Sequence, residues 1–153
     1  MRVARICRAR YPDLDGAGAA IAGGRWNSQG TPIVYTSSCG ALAVLEYRVH
    51  TNIDPGDLVL YRIDIPDALT IEKAPWTPDL NTARHFGDLW SSSMRSPVIA
   101  VPSVVVPHQV NYLLNPRHPE MVGKIRVVDR QSFVIDLRLF DLTNADPKRK
   151  TSL

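Results

Sequence analysis

Cysteine is scarce in this 153-residue sequence, and the two that occur, Cys7 and Cys39, form no CxxC pair. A disulfide framework or a structural zinc site needs denser cysteine spacing, so neither is predicted. The four histidines also lack the spacing of metal ligands. We therefore expect a protein of the reducing cytoplasm that binds no metal and carries no cofactor.

Long apolar runs are also missing. No stretch approaches the length of a membrane span, and the first ten residues contain no apolar run of signal-peptide length. Neither insertion into a membrane nor export by a signal peptide is predicted.

The net charge of +3 is unevenly distributed along the chain. Four arginines lie in the first ten residues and three basic residues in the last seven, whereas the segment between Tyr11 and Asp146 holds 11 basic against 15 acidic residues. A nucleic-acid-binding protein usually carries its cations as a stripe across the fold. Direct contact with nucleic acid is therefore not predicted, and a basic RNA-binding module or ribonuclease toxin is the alternative hypothesis.

Glutamate is rare and proline is frequent, with 3 and 12 residues, which disfavours a helical bundle. The apolar pattern predicts helices at about 39–50 and 79–94, the first capped by Ser37 or Ser38 and buried through Leu42, Leu45 and Val49. Strands are expected from about Val3 and at 33–36, 58–65, 98–106 and 125–135, with loops at 11–24 and 111–119.

This order of elements predicts an α+β fold in one domain spanning residues 1–153. We expect small, mostly antiparallel sheets, two in number, with flanking helices. The basic segment at about 144–153 is predicted to be a frayed tail.

The densest polar motif is segment 23–30, Gly-Gly-Arg-Trp-Asn-Ser-Gln-Gly. Paired glycines allow close approach to the backbone, and the planar fork of Arg25 suits a phosphate or carboxylate. A turn with a structural arginine and a core tryptophan is an equally ordinary interpretation. Glu46 lies four residues after Leu42 and shares the inward face of its helix, where it is either an ion-pair partner or a functional carboxylate.

A carboxylate, an arginine and an aromatic ring without a metal suit a phosphorylated nucleotide and a developing sugar cation. With these residues, the sequence resembles the RES-domain family. This family is named for its Arg, Glu and Ser, and its members are found as toxins of bacterial RES–Xre toxin–antitoxin pairs. The matching segments run in order along nearly the whole chain: 5–6, 16–18, 23–27, 35–37, 41–46, 101–103, 111–116, 118–119 and 133–139.

The resemblance implies a fold related to diphtheria-toxin-like ADP-ribosyltransferases and an enzyme that cleaves the nicotinamide–ribose bond of NAD⁺. The ADP-ribose would pass to water, phosphate or a host protein, and growth would stop. The implied partner is an Xre-type helix-turn-helix antitoxin that covers the active site.

The resemblance also implies roles for individual residues. Arg5 and Arg25 would clamp the phosphates of NAD⁺, Tyr35 would stack on nicotinamide, and Glu46 would bind its ribose. Ser103 would orient the ribose or the amide, with Ser132 as the alternative family serine. Asn27 is either a helper in the site or a turn former.

Overall fold

The computed structural model describes residues 1–11, 14–51 and 56–139, so the predicted tail at 144–153 lies outside the described residues. Seven strands, three α-helices and one 3₁₀ turn follow in this order: β1 Arg2–Arg8, α1 Ala17–Ala22, β2 Val34–Ser37, α2 Gly40–His50, β3 Leu58–Asp64, β4 Ile71–Lys73, α3 Leu80–Ser93, β5 Val98–Pro102, β6 Val110–Leu114, β7 Arg126–Phe133 and the 3₁₀ turn Leu137–Leu139.

All seven strands form one sheet in the order β4-β5-β6-β2-β1-β3-β7. Neighbours are antiparallel except for the parallel pair β4 and β5. The α+β class and the mostly antiparallel pairing are confirmed, but the expectation of two sheets is wrong. The two strand groups β4-β5-β6-β2 and β1-β3-β7 are joined into one sheet at a single paired position, Ala4 with Ser37.

Apolar side chains cover both faces of this sheet. One face carries Val3, Val59 and Ile63, and the connecting segments supply further buried residues such as Met121. The other face is covered by two helices: α2 packs with Ala43 against Ala4 and Leu60, and α3 packs with Trp90 against Ile99 and Leu113. Because both faces are covered, four consecutive residues of β3, 58–61, are buried.

Helix α3 confirms the prediction at 79–94. The carboxylate of Asp79 caps it by accepting a hydrogen bond from the Thr82 amide at 2.6 Å, and Met94 ends it in the left-handed region at φ 53°. Its buried side comprises Ala83, Gly87, Trp90 and Ser91.

Helix α2 is correctly located, but its predicted cap and inward stripe are wrong. Cys39 precedes it without a side-chain cap, and Leu45 and Val49 are exposed. The buried residues are Leu42 and Ala43. The helix is therefore rotated relative to the predicted stripe, and this rotation directs Glu46 toward polar partners rather than toward an apolar core.

Other elements differ from the sequence pattern in smaller ways. The predicted loop at 11–24 contains α1, and the predicted loop at 111–119 contains most of β6. Strand β5 ends at Pro102, so the strand predicted at 98–106 is shorter in the structure. Among the described residues, no helix is long and apolar enough to cross a bilayer.

Gly87 of α3 provides a direct test of this packing. A Cβ at this position would overlap the carbonyl oxygen of Trp26, whereas a Cβ at Gly40, the first residue of α2, would meet only Leu60 at 4.0 Å. We expect Gly87→Ala to lower the free energy of unfolding by about 1–3 kcal/mol, the usual cost of overpacking. The matched Gly40→Ala should be neutral or stabilising.

Urea denaturation of both variants measures the difference. Equal stability of Gly87→Ala and the parent protein would mean that the 23–30 segment does not rest on α3 as described.

Candidate active site

Glu46 lies at the centre of a polar cluster between α2 and the sheet. Its Oε1 accepts two hydrogen bonds, from Ser103 Oγ at 2.7 Å and from Asn111 Nδ2 at 2.6 Å. Within the described part of the chain, Oε2 accepts none. The carboxylate is half-buried, so one oxygen is fixed by the protein and the other remains available to a ligand.

Ser103 is fixed by the turn that follows β5. Its amide donates to the Gln109 carbonyl at 2.9 Å, and its Oγ accepts from the amides of Val105 and Val106 at 3.1 and 3.0 Å. These two incoming bonds leave the hydroxyl proton for Glu46. Ser103 is buried in this turn and therefore holds the Glu46 carboxylate in one orientation.

Asn111 begins segment 111–116 of the family resemblance, but its contact with Glu46 was not predicted from the sequence. It lies on β6 opposite Ser37 of β2, and Ser37 Oγ donates to Asn111 Oδ1 at 2.8 Å. This bond orients the amide so that its Nδ2 points at Glu46. Ser37, considered from the sequence as a helix cap, thus supports the carboxylate through Asn111.

Tyr35 organises the glycine-rich segment on the same face of β2. Its hydroxyl accepts from the Trp26 amide at 3.1 Å and donates to Asn27 Oδ1 at 2.8 Å. Gly24 has to be glycine here, because an added Cβ would lie 2.6 Å from the Tyr35 hydroxyl oxygen. Burial raises the pKa of Tyr35 well above its ordinary value, so the phenol stays neutral.

Asn27 is completely buried, and its amide nitrogen donates to the carbonyls of Ala19, Ser28 and Thr31 at 2.8 to 3.1 Å. With Tyr35 on its oxygen, its hydrogen-bonding groups are all used within the protein. The contacts therefore favour the turn-forming interpretation of Asn27 over a helper role.

Arg25 is half-buried beside the loop that precedes α3. Its Nη2 donates to the Thr77 carbonyl at 2.6 Å, and its guanidinium carbon lies 5.9 Å from the centre of the Trp76 ring. Its Nε is buried and has no hydrogen-bond partner among the described residues. Unmet buried donors are rare and mark places where a ligand or water completes the structure.

Arg84 is a second cation that sequence reasoning missed. It extends from α3, and its Nε donates to the Gly24 carbonyl at 2.9 Å. The spacing of Arg84 within α3 gave no signal, because its partner is a backbone atom 60 residues away.

Two predicted residues lie elsewhere. Arg5 pairs with Tyr61 on β3, in a strand whose Val3 and Cys7 belong to the core on the face opposite α2. Ser132 is exposed on β7, opposite Val59 of that same core. A hydrogen bond joins Glu46 to Ser103, whereas the strand positions of Arg5 and Ser132 are on the face opposite α2.

An open cleft of about 810 Å³ lies where β1 begins, at Arg2, and β3 ends, at Asp64. Arg2 in this cleft is paired with Asp64 at 2.7 Å, and Lys124 is paired with Glu120 at 2.8 Å. The cleft shares no residue with the Glu46 cluster. Among the described residues, no group of three or more His, Cys, Asp or Glu side chains is arranged to hold a metal.

The buried phenol of Tyr35 predicts a specific dependence of stability on pH. Above about pH 10, where an exposed tyrosine ionises, the unfolded chain loses the proton that folded Tyr35 keeps. Unfolding is then favoured, and this residue lowers the free energy of unfolding by up to about 1.4 kcal/mol per pH unit. Tyr35→Phe should remove that part of the slope.

Denaturation curves recorded from about pH 9 to 11 measure the slope directly. Tyr35→Phe should itself be less stable at neutral pH by about 1 kcal/mol, because Asn27 loses a hydrogen bond. Parallel pH profiles for the two proteins would contradict the buried, neutral phenol.

Comparison with known proteins gives concordant results. The "Prs ADP-ribosylating toxin" of Sphingobium sp. (strain YBL2) is 42% identical over 124 residues, covering 72% of this chain and 77% of that protein. "Toxin Res" of Pseudomonas putida is 36% identical over 140 residues, covering 85% of this chain and 94% of that protein.

Among solved structures, a chain of the crystal structure of the M. tuberculosis MbcT–MbcA toxin–antitoxin complex has a similar fold. The TM-score is 0.69 at 17% identity, covering 86% of this chain and 83% of that chain. Residues 2–136 match the RES domain, which includes every residue of the Glu46 cluster. The match to the RES domain covers most of the chain, and relatives named Toxin Res align with it over most of their own length. The chain therefore belongs to the RES domain family.

Proposed function

We propose that this protein is a toxin that cleaves the bond between nicotinamide and ribose in NAD⁺ and transfers ADP-ribose to an acceptor. The observation that carries the proposal is the Glu46 carboxylate, fixed at Oε1 by Ser103 and Asn111 and available at Oε2. The relative named as an ADP-ribosylating toxin supports this choice of substrate.

The chemistry follows from where charge develops. As the C1′–N bond breaks, its electron pair goes to the pyridinium nitrogen, so nicotinamide leaves as a neutral molecule. Positive charge appears on the ribose, and a fixed carboxylate stabilises such an oxocarbenium-like state more than it stabilises the substrate. The acceptor oxygen or nitrogen then bonds to C1′ and loses its proton. No metal is required for this sequence.

The other residues have binding roles in this proposal. Arg25 presents a half-buried guanidinium, whose positive charge suits a phosphate oxygen of NAD⁺. Tyr35 supplies an aromatic ring on the same strand as Ser37, with the nicotinamide as its stacking partner. The position of Arg5 on the opposite face does not support a phosphate contact for it in this site.

Glu46→Gln tests the catalytic assignment. The amide keeps the shape of the side chain and removes its charge, so nicotinamide release should fall by about 10²–10³ in kcat. Glu72→Gln is the matched control, because it makes the same change in a glutamate outside the Glu46 cluster. Glu72 lies on the edge strand β4 and forms an ion pair with Arg95. That variant should retain full activity with NAD⁺.

Chromatography of nicotinamide released from NAD⁺ measures both variants. Intact NAD⁺ after incubation of the wild-type protein with phosphate and cell proteins would overturn the proposed function, and full activity of Glu46→Gln would overturn the role of Glu46.

Asn111→Asp tests whether Asn111 positions the carboxylate. At acidic pH the two carboxyl groups share one proton, so position 111 still donates to Glu46, whereas at alkaline pH both ionise and repel. NAD⁺ cleavage by this variant should fall by at least about tenfold between about pH 5 and 8, a cost in the range of one misplaced electrostatic group. The wild type should show no comparable fall.

Asn111→Ala separates positioning from simple structural damage. Alanine donates at no pH, so its activity should stay low throughout the range. If Asn111→Asp were equally impaired at every pH, the amide would have only a structural role.

The acceptor distinguishes two versions of the activity, depletion of NAD⁺ and modification of one protein. Labelled NAD⁺ added to a cell lysate separates them: one labelled band identifies protein transfer, and free ADP-ribose or its phosphate ester identifies depletion. Both versions use the same donor site, so either result is compatible with the role of Glu46.

We also propose that an Xre-type helix-turn-helix antitoxin covers this site in the cytoplasm. The fold shared with a chain of a toxin–antitoxin complex supports a protein partner of this kind. Addition of the antitoxin should abolish nicotinamide release, and unchanged release from a stable complex would contradict a covered site.

A further inference from the structure

Trp76 differs from the other two tryptophans of the chain. Trp26 and Trp90 are buried, at 3% and 0% exposure, whereas Trp76 is 62% exposed. Single exposed apolar residues are common and need no special explanation. The surroundings of Trp76 are unusual, however, because they fix an exposed aromatic ring beside the cation of the candidate active site.

The loop between β4 and α3 holds Trp76 in place. Pro75 and Pro78 flank the Trp76-Thr77 pair and restrict the backbone on both sides. Arg25 Nη2 donates to the Thr77 carbonyl at 2.6 Å, and Thr77 Oγ1 accepts from the Asp79 amide at 3.2 Å. A ring presented on such a loop loses little conformational entropy when it binds a ligand.

The guanidinium of Arg25 lies 5.9 Å from the centre of this ring. A cation for phosphate and a flat apolar surface are therefore adjacent. In a nucleotide, one sugar separates the base from its phosphate, so a base stacked on this ring would bring its phosphate to the side of the guanidinium. The nicotinamide end is assigned to the Glu46 cluster, which leaves the other base of the dinucleotide for Trp76.

We propose that Trp76 forms the stacking surface for the adenine ring of NAD⁺, with Arg25 on the adjoining phosphates. The inference rests on the proposed function, because it takes NAD⁺ as the substrate and adds a residue that selects its adenylate half. Trp76 acts in binding and not in bond cleavage. Its loss should therefore raise KM and leave kcat unchanged.

Steady-state kinetics with NAD⁺ test the proposal. Trp76→Ala should raise KM by about 5- to 150-fold, the range found when a base loses its aromatic stacking partner, with kcat within about twofold. Trp76→Phe should recover most of the affinity. Tyr11→Ala is the matched control, because Tyr11 is also an exposed ring beside an arginine, with Arg10 at 4.9 Å, and lies outside the candidate site.

Binding of AMP tests the subsite without catalysis. Titration with AMP should quench the fluorescence of the exposed tryptophan in the wild type, and ribose 5-phosphate, which lacks the base, should not. Trp76→Phe should lose the quenching and retain a low KM. If the wild type binds AMP in this way but cleaves no NAD⁺, the proposed function fails and the adenine subsite stands.

Three results would overturn the inference. One is an unchanged KM in Trp76→Ala, another is equal binding of AMP and ribose 5-phosphate, and the third is loss of antitoxin binding in Trp76→Ala with normal NAD⁺ kinetics. The last result would assign Trp76 to a protein interface.

Discussion

The site depends on two hydrogen bonds that converge on a single oxygen of Glu46. Ser103 and Asn111 reach this oxygen from a turn and a strand that lie 57 and 65 residues after Glu46, and Ser37 secures Asn111 from β2. In the proposed reaction, a carboxylate held in this way would face the sugar cation without having to reorganise, which is the physical basis of electrostatic catalysis. The rotation of α2 away from a fully apolar stripe is the structural requirement for this arrangement.

The second constraint is the close packing around the glycine-rich segment. Gly24 lies against Tyr35, and Trp26 lies against Gly87 of α3. These contacts fix the segment that carries Arg25, and Arg25 in turn holds the loop that carries Trp76. Glu46 lies on α2 and the segment with Arg25 rests on α3, and these two helices pack on opposite sides of β2 in the strand order.

The local pattern of the sequence predicted helix α3, the long strand β3 and the α+β class, because capping residues and apolar periodicity act over short distances. It also drew attention to Arg25, Tyr35 and Glu46, whereas Ser103 was assigned through the family resemblance. That resemblance includes Asn111, but the role of Asn111 was not predicted, since its amide is oriented by a serine 74 residues earlier in the chain. The opposite placement of Arg5 depends on the strand register, which the sequence of β1 alone does not determine.

A crystal structure of the Glu46→Gln protein with bound NAD⁺ would show directly whether Glu46 faces the nicotinamide ribose, because the variant should bind the dinucleotide without cleaving it. We expect the side chain at position 46 within about 3 Å of a hydroxyl of the nicotinamide ribose, with Arg25 on the phosphates. A nicotinamide ribose bound anywhere else, for example on the face of β1 that carries Arg5, would contradict the role proposed for Glu46.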